Sequence, residues 1–271
     1  MKYKHKRSPP GSTGQVELHR MPMMGPFGLT AVPLIDNTPL VVSVLNQGAE
    51  GSCELNGWAE AIQSQMARLE DDTPELPSRQ FLYYCCRAVD GSPAAADTGT
   101  CSTTVATVLA TYGFPPESAW PYIAGDLDPS TKFEELKRLA YDQRTPWTAR
   151  VDADGQSLPA CEQAVKGALQ AGYLLPFAID VDQAFEDLRP GQIWPGPTGE
   201  VLGGHCTTIV GYGPANELCK HTLDTTTCYK VLNSWGINWC DGGYYLMSPA
   251  ALSKRYDIYC TTRVPLYSGT E

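Results

Sequence analysis

Ten consecutive residues constrain this chain more than any others: Asn46-Gln47-Gly48-Ala49-Glu50-Gly51-Ser52-Cys53-Glu54-Leu55. Gly48, Gly51 and Ser52 suit a tight turn, and a helix starts directly behind them. Leu55, Trp58, Ile62, Met66 and Leu69 follow at spacings of three and four, the apolar stripe of a packed helix running from about Cys53 to Glu70. Cys53 therefore falls in the first helical turn. Backbone N–H groups there lack intrahelical partners, and the helix dipole is positive. Both effects favour the thiolate, the form in which cysteine is a nucleophile. Gln47, six residues earlier, can return its side-chain amide to the same spot.

A nucleophile needs a base, and the base needs an orienting partner. The chain has four histidines, His5, His19, His205 and His221. His205 lies in a tract from Val201 to Gly213 that reads as a buried strand. After a polar loop come Val231-Leu232-Asn233-Ser234-Trp235-Gly236-Ile237-Asn238-Trp239 and then Gly242-Gly243-Tyr244-Tyr245. Each piece alone is weakly informative. Together and in this order, with about 150 residues between the cysteine and the histidine, they resemble the papain family of cysteine peptidases. The family pattern is a Gln, Gly-Ser-Cys six residues on, a His before a strand ending Gly-Tyr-Gly, and Asn-Ser-Trp-Gly followed by Trp and Gly-Tyr. The resemblance extends over residues 33–271, and Leu82-Tyr83-Tyr84 with Pro116 to Tyr122 brings it nearest to bacterial, archaeal and viral members.

The resemblance implies an α+β, papain-like two-lobe fold. A helical lobe (residues 50–150) would face a β-barrel-like lobe (residues 33–49 and 151–271) across a cleft. It implies Cys53 as nucleophile, His205 as base, Asn233 as the partner that orients the imidazole, and Gln47 as an oxyanion donor. By the same carry-over Trp235 and Trp239 wall the leaving-group side. Gly99 and Thr100 are the nearest matches to the glycine-containing backbone that pairs with extended substrate, and Gly204 joins them as a substrate-binding position. The implied activity is thiol endopeptidase action on a protein or peptide, through a thioester, with no metal and no organic cofactor. The competing expectation is a catalytically silent papain fold that binds or builds, for example in a virus particle. The intact set of four site residues opposes that alternative.

One departure from the family is Glu54, where Trp often follows the nucleophile. A carboxylate beside the thiolate opposes its formation unless the side chain points to solvent. Glu54 and Glu50 together would either raise the pH needed for activity or favour basic substrate residues near the cut. His221 sits in a polar loop and reads as solvated, and Cys206 as packed under the cleft.

The totals narrow the partners. A net charge of −10 leaves no basic surplus to meet phosphates, which argues against nucleic acid. Residues 1–32 run against that balance and read as a flexible basic arm that lacks the pattern of a helical pro-segment. No apolar run reaches the length of a membrane span or of a signal-peptide core, so the expected setting is the cytoplasm or a virion, away from membranes. Oligomeric state is open. Of ten cysteines, the nine besides Cys53 are an odd number. Most read as buried thiols, with Cys219 and Cys228 able to meet across a hairpin as either thiols or a disulfide. Further helices are expected at Ser78–Val89 with Ser78 as N-cap, Ser102–Tyr112, Pro129–Gln143 and Ser157–Ala171, followed by strands in the second half.

Overall fold

Helix α1 (Cys53–Leu69) is the element on which the fold is assembled. The computed structural model describes residues 34–69, 74–93, 96–129, 132–144 and 148–261, so the expected arm at 1–32 lies outside the described residues. The apolar stripe of α1 is inside: Leu55, Trp58, Ile62 and Met66 are all buried. As far as Ser64 the rest of its circumference is enclosed too, including Glu54, Asn56, Glu60 and Gln63. On one side lie α2 (Arg79–Val89) and α3 (Ser102–Thr111), and on another the long strand β5 (Val201–Pro214). Several enclosed polar groups find local partners, as burial demands. Asn56 Nδ2 donates to Ser52 O at 2.9 Å, and Gln63 Nε2 to Pro74 O at 3.0 Å. Glu60 Oε1 accepts the Leu45 N–H at 2.9 Å, which ties the chain before the turn back onto the helix.

Gly57 lets α1 sit close on β5. A Cβ there would lie 3.2 Å from Thr208 Oγ1 and 3.4 Å from Cys206 Sγ, and Thr208 Oγ1 donates to Gly57 O at 3.2 Å. Ser78 caps α2 as expected, accepting the Phe81 N–H at 3.3 Å while donating to Trp120 O at 2.9 Å. After α3 the chain turns at Gly113 (φ 73°), where a Cβ would overlap Ala140 O at 2.2 Å. Only glycine fits that turn. Helix α4 (Phe133–Ala140) is shorter than the expected Pro129–Gln143, because Tyr141–Gln143 tighten into a 3-10 turn. These four helices share one apolar core, into which Tyr259 reaches from the other half to meet Trp58, ring centroids 5.4 Å apart.

The second half is a sheet. Its strands are β1 (Ile35–Asp36), β2 (Thr148–Arg150), β3 (Leu175–Asp182), β4 (Ile193–Trp194), β5, β6 (Thr227–Leu232), β7 (Tyr244–Met247) and β8 (Arg255–Thr261). They run in the order β2-β8-β3-β5-β6-β7-β4, with β1 paired to the far end of β5. Among the described residues only β4 and β7 pair in parallel. Helix α5 (Leu158–Gln170) packs on this sheet, and the short α6 (Gln183–Glu186) and α7 (Ala215–Leu218) follow β3 and β5. A helical half and a sheet half with separate cores match the expected α+β class. The sheet differs from the barrel-like expectation in one respect. Its end strands β2 and β4 do not pair with each other, so it is open.

Glu60 gives this interior a pH dependence. Desolvation lifts its carboxyl from 4.5 to about 8, although the Leu45 N–H and Arg79 pull the other way. Between those two values the folded state keeps a proton that the unfolded chain has released, so stability falls as pH rises. Glu60→Gln keeps the acceptor and removes the titration. Urea unfolding at pH 5 and pH 9 should show a flatter response in the variant, with a gain at pH 9 on the order of a few kcal/mol. Equal pH dependence in the two proteins would contradict this.

Candidate active site

The turn at residues 45–52 is stitched to the segment that follows β6. Gln47 N–H donates to Ser234 O and Gly236 N–H to Leu45 O, both at 2.8 Å, and Asn46 bridges Trp235. Side chains repeat the connection, with Ser234 Oγ donating to Gln47 Oε1 at 2.7 Å. Gln47 Nε2 donates to Glu50 O at 2.9 Å, and because a carbonyl only accepts, this fixes which end of the amide is nitrogen. Asp97 Oδ1 takes the Gly51 N–H at 2.9 Å and the Tyr83 hydroxyl at 2.6 Å. The turn is thus held from both halves of the molecule, and it delivers Cys53 as the first residue of α1.

His205 and Asn233 come from neighbouring strands. In the β5–β6 register Thr208 faces Leu232, so Asn233, one residue past β6, falls beside the His205 end of β5. His205 Nε2 and Asn233 Oδ1 are 2.8 Å apart. The same oxygen accepts the Ser234 backbone N–H at 2.9 Å, which fixes the amide orientation. His205 Nε2 is therefore the donor in this pair. Trp235 lies over this pair, its ring 5.1 Å from the imidazole. Cys53, His205, Asn233 and Gln47 are all fully buried in this conformation.

An aromatic cluster underlies the imidazole. Phe185 packs against His205, Trp194, Trp235, Trp239 and Tyr245 at centroid distances of 4.9–5.7 Å. Asp182 caps α6 and accepts N–H groups from Phe185 (3.1 Å), Thr198 (2.8 Å) and Gly199 (3.0 Å). Burial raises its pKa, but these bonds outweigh that and leave it below the usual value. Phe185 and Asp182 escaped the sequence reading. The only local signal is an Asp three residues ahead of the Phe, an N-cap pattern with no mark of the site.

The remaining expected positions lie in the loop ahead of α3, in β5 and in the segment after β6. Gly99 (φ 76°) donates its N–H to Tyr83 Oη at 2.9 Å, and Thr100 Oγ1 donates to Asp90 at 2.8 Å, which anchors this loop to α2. Gly204 pairs with Asp180 in the sheet. Trp239 packs edge-on against Trp235, at 5.1 Å.

Three expectations need correction. Glu54 does not point to solvent. It is buried, and its Oε2 accepts from Ser102 Oγ at 2.9 Å, with Asp257 Oδ1 3.2 Å from the same hydroxyl. Glu50 is equally enclosed, accepting the Gly125 N–H at 2.8 Å, and desolvation raises its pKa. Both carboxylates are turned into the interior. His221 is exposed, as expected, but is not without a partner, since Asp241 lies 3.3 Å away. The cysteine chemistry follows the thiol reading: all ten are thiols, and Cys219 Sγ donates to Asp241 at 3.2 Å rather than bonding to Cys228. Cys206 is packed beneath α1, its pKa raised first by burial and then by the charges of Glu54 and Cys53. Burial likewise pushes the thiols of Cys161, Cys240 and Cys260 up to about 11.

Comparison with known proteins bears on the family and the fold. An uncharacterized peptidase C1-like protein of Acanthamoeba polyphaga mimivirus is 27% identical over 81% of this chain and 68% of its own length. A cysteine endopeptidase of Oryza sativa subsp. japonica is 28% identical over 76% of this chain, which spans 50% of that relative's length. Among solved structures, xylellain, a cysteine protease from Xylella fastidiosa, superimposes with a TM-score of 0.71 at 25% identity, covering 86% of this chain and 87% of its own. Bromelain from Ananas comosus, solved with the E64 inhibitor, shares the fold with a TM-score of 0.64 at 20% identity, over 86% of this chain and all of its own. The family model for papain family cysteine proteases matches residues 35–261, and the chain belongs to that family.

Proposed function

We propose that this protein cleaves peptide bonds in protein or peptide substrates by acyl transfer to Cys53. The observation that carries the reading is the 2.8 Å bond from His205 Nε2 to Asn233 Oδ1, which leaves Nδ1 to take a proton. His205 takes the Cys53 proton, and the resulting imidazolium stabilises the thiolate, as the positive end of α1 does. The thiolate attacks the scissile carbonyl carbon, and the carbonyl electron pair moves onto oxygen. The Cys53 backbone N–H and the second N–H of the Gln47 amide receive that oxyanion, the first N–H being held by Glu50 O. The imidazolium then protonates the leaving amine, giving the thioester, and later activates the water that hydrolyses it.

Asn233 holds the imidazole without adding a negative charge, so it steadies the ion pair rather than competing within it. Trp235 shields the His205–Asn233 bond from water, which strengthens it in a medium of lower dielectric. Every reacting group comes from the chain itself. Because Cys53 and His205 are fully buried in this conformation, a peptide reaches them only after they are uncovered. The silent-scaffold alternative finds no support in Glu54, which is drawn into the interior and hydrogen-bonded there.

Two sets of variants test the reading. Cleavage of a quenched-fluorescent peptide pool by the wild type should fall on the order of 10³-fold or more in Cys53→Ser. It should fall roughly 10²- to 10³-fold in kcat for Gln47→Ala, which removes one oxyanion donor. Cleavage that survives Cys53→Ser would overturn the assignment. Asn233→Ala removes one hydrogen bond to a charged ring, worth about 1.5–3 kcal/mol, so kcat/KM should drop roughly 10- to 150-fold. That bond favours the imidazolium over the neutral ring, so its loss should move the alkaline limb of the pH–rate profile to lower pH. An alkaline limb that stays in place would show that Asn233 has no such role.

A further inference from the structure

Tyr122 comes from a loop far along the chain, yet it touches both ends of the turn that carries the nucleophile. Its hydroxyl lies 2.8 Å from Gln47 O and 2.6 Å from Ser52 Oγ. Gln47 is the proposed oxyanion donor, and Ser52 immediately precedes Cys53. The proton positions follow from the partners. Gln47 O is a carbonyl and only accepts, so the single phenolic proton of Tyr122 goes there. For the 2.6 Å contact to be a hydrogen bond, the Ser52 proton, for which Glu50 also competes, then goes to Tyr122 Oη. Ser52 Oγ in turn accepts from Asn56 Nδ2 at 3.2 Å, and Asn56 Oδ1 accepts from Arg79 Nη1 at 2.7 Å. The result is a one-way chain of donors: Arg79, Asn56, Ser52, Tyr122, Gln47.

The chain closes on itself. The Arg79 guanidinium sits over the Tyr122 ring, 3.9 Å from its centroid. Glu117 bonds Arg79 Nη2 at 2.6 Å and accepts the Tyr122 N–H at 3.2 Å. Ring, backbone and hydroxyl of Tyr122 are therefore each fixed by a different partner. Burial keeps the phenol protonated well past its ordinary range, so it remains a donor at any working pH. Such a closed set of bonds holds a group more rigidly than the same bonds made separately.

We propose that Tyr122 is a positioning residue for acyl transfer, its hydroxyl holding Gln47 and Ser52 so that the Gln47 amide and the Cys53 N–H converge on one oxygen. This rests on the peptidase reading above. Its signature is selective. A hole that binds an oxyanion matters where a carbonyl becomes tetrahedral and is irrelevant to direct displacement at a saturated carbon.

Tyr122→Phe removes the hydroxyl and leaves the ring over Arg79. In the full chain, kcat on a quenched-fluorescent peptide cut by the wild type should fall roughly 10- to 100-fold, with KM nearly unchanged. Affinity for a peptide aldehyde should fall in parallel. There the thiolate sulfur bonds the carbonyl carbon and the carbonyl π pair moves to the oxygen that the hole receives. Alkylation of Cys53 by iodoacetamide, where iodide leaves a saturated carbon, should keep the wild-type rate and pH profile. Ser52→Ala cuts the chain one step earlier but leaves the Tyr122–Gln47 bond. It should show a smaller loss of kcat with the same unchanged alkylation, and it serves as the test if Tyr122→Phe does not fold. An unchanged kcat and aldehyde affinity would overturn the proposal, as would alkylation that slows together with turnover. A wild type that cuts no peptide and binds no aldehyde would instead overturn the peptidase reading.

Discussion

The pairing of residues 45–47 with residues 234–236 is the interaction on which the site depends. Two backbone bonds of 2.8 Å and one side-chain bond of 2.7 Å join the turn ahead of α1 to the segment behind β6. A hydrogen bond of this kind contributes only about 0.5–1.5 kcal/mol net. Its importance is geometric. It sets the register between the half of the molecule that carries Cys53 and the half that carries His205 and Asn233. Because Ser234 bonds Gln47 while its own N–H bonds the Asn233 side chain, the proposed oxyanion side and the proposed base side are referenced to one residue.

The polar interior around α1 serves the same end. A helix closed in on both sides must satisfy its polar side chains internally, since leaving one unpaired costs about 1–3 kcal/mol. Glu54, Ser102 and Asp257 meet within 3.2 Å and link α1, α3 and β8. Glu60 fastens Leu45, the residue before the bridge. Acidic groups that in sequence stand beside the nucleophile are used as interior fasteners. The apolar layer of Phe185, Trp194, Trp235, Trp239 and Tyr245 supports the imidazole from beneath, each close ring pair adding about 0.5–1.5 kcal/mol beyond simple burial.

Much of this was legible in the sequence, for identifiable reasons. The spacing of Leu55, Trp58, Ile62 and Met66 specifies a helix, and Ser78 marks the start of the next one, because both signals are local. Gln47, Cys53, His205 and Asn233 stand in short ordered motifs, so their grouping could be proposed from sequence. Helix periodicity gave no sign that Glu54 and Glu60 are enclosed. A stripe through Leu55 and Trp58 implies a solvated opposite face, and nothing local reveals that β5 lies there. Tyr122 and Phe185 were missed because their partners are distant in the chain, Ser52 and Gln47 in one case and His205 in the other. The open sheet was equally hidden, since strand tracts do not encode whether the end strands meet.

The central claim is that Cys53 is held as a thiolate by His205 across this junction. The most direct measurement is the pH dependence of Cys53 alkylation by iodoacetamide, read by peptide mass spectrometry, in the wild type and in His205→Ala. Position of the profile along pH, not its absolute rate, carries the result, since the sulfur is buried. The account predicts labelling that persists well below pH 7 in the wild type and retreats toward the ordinary thiol range of about 8.5 in the variant. Labelling that rises only near that range in both proteins would contradict it.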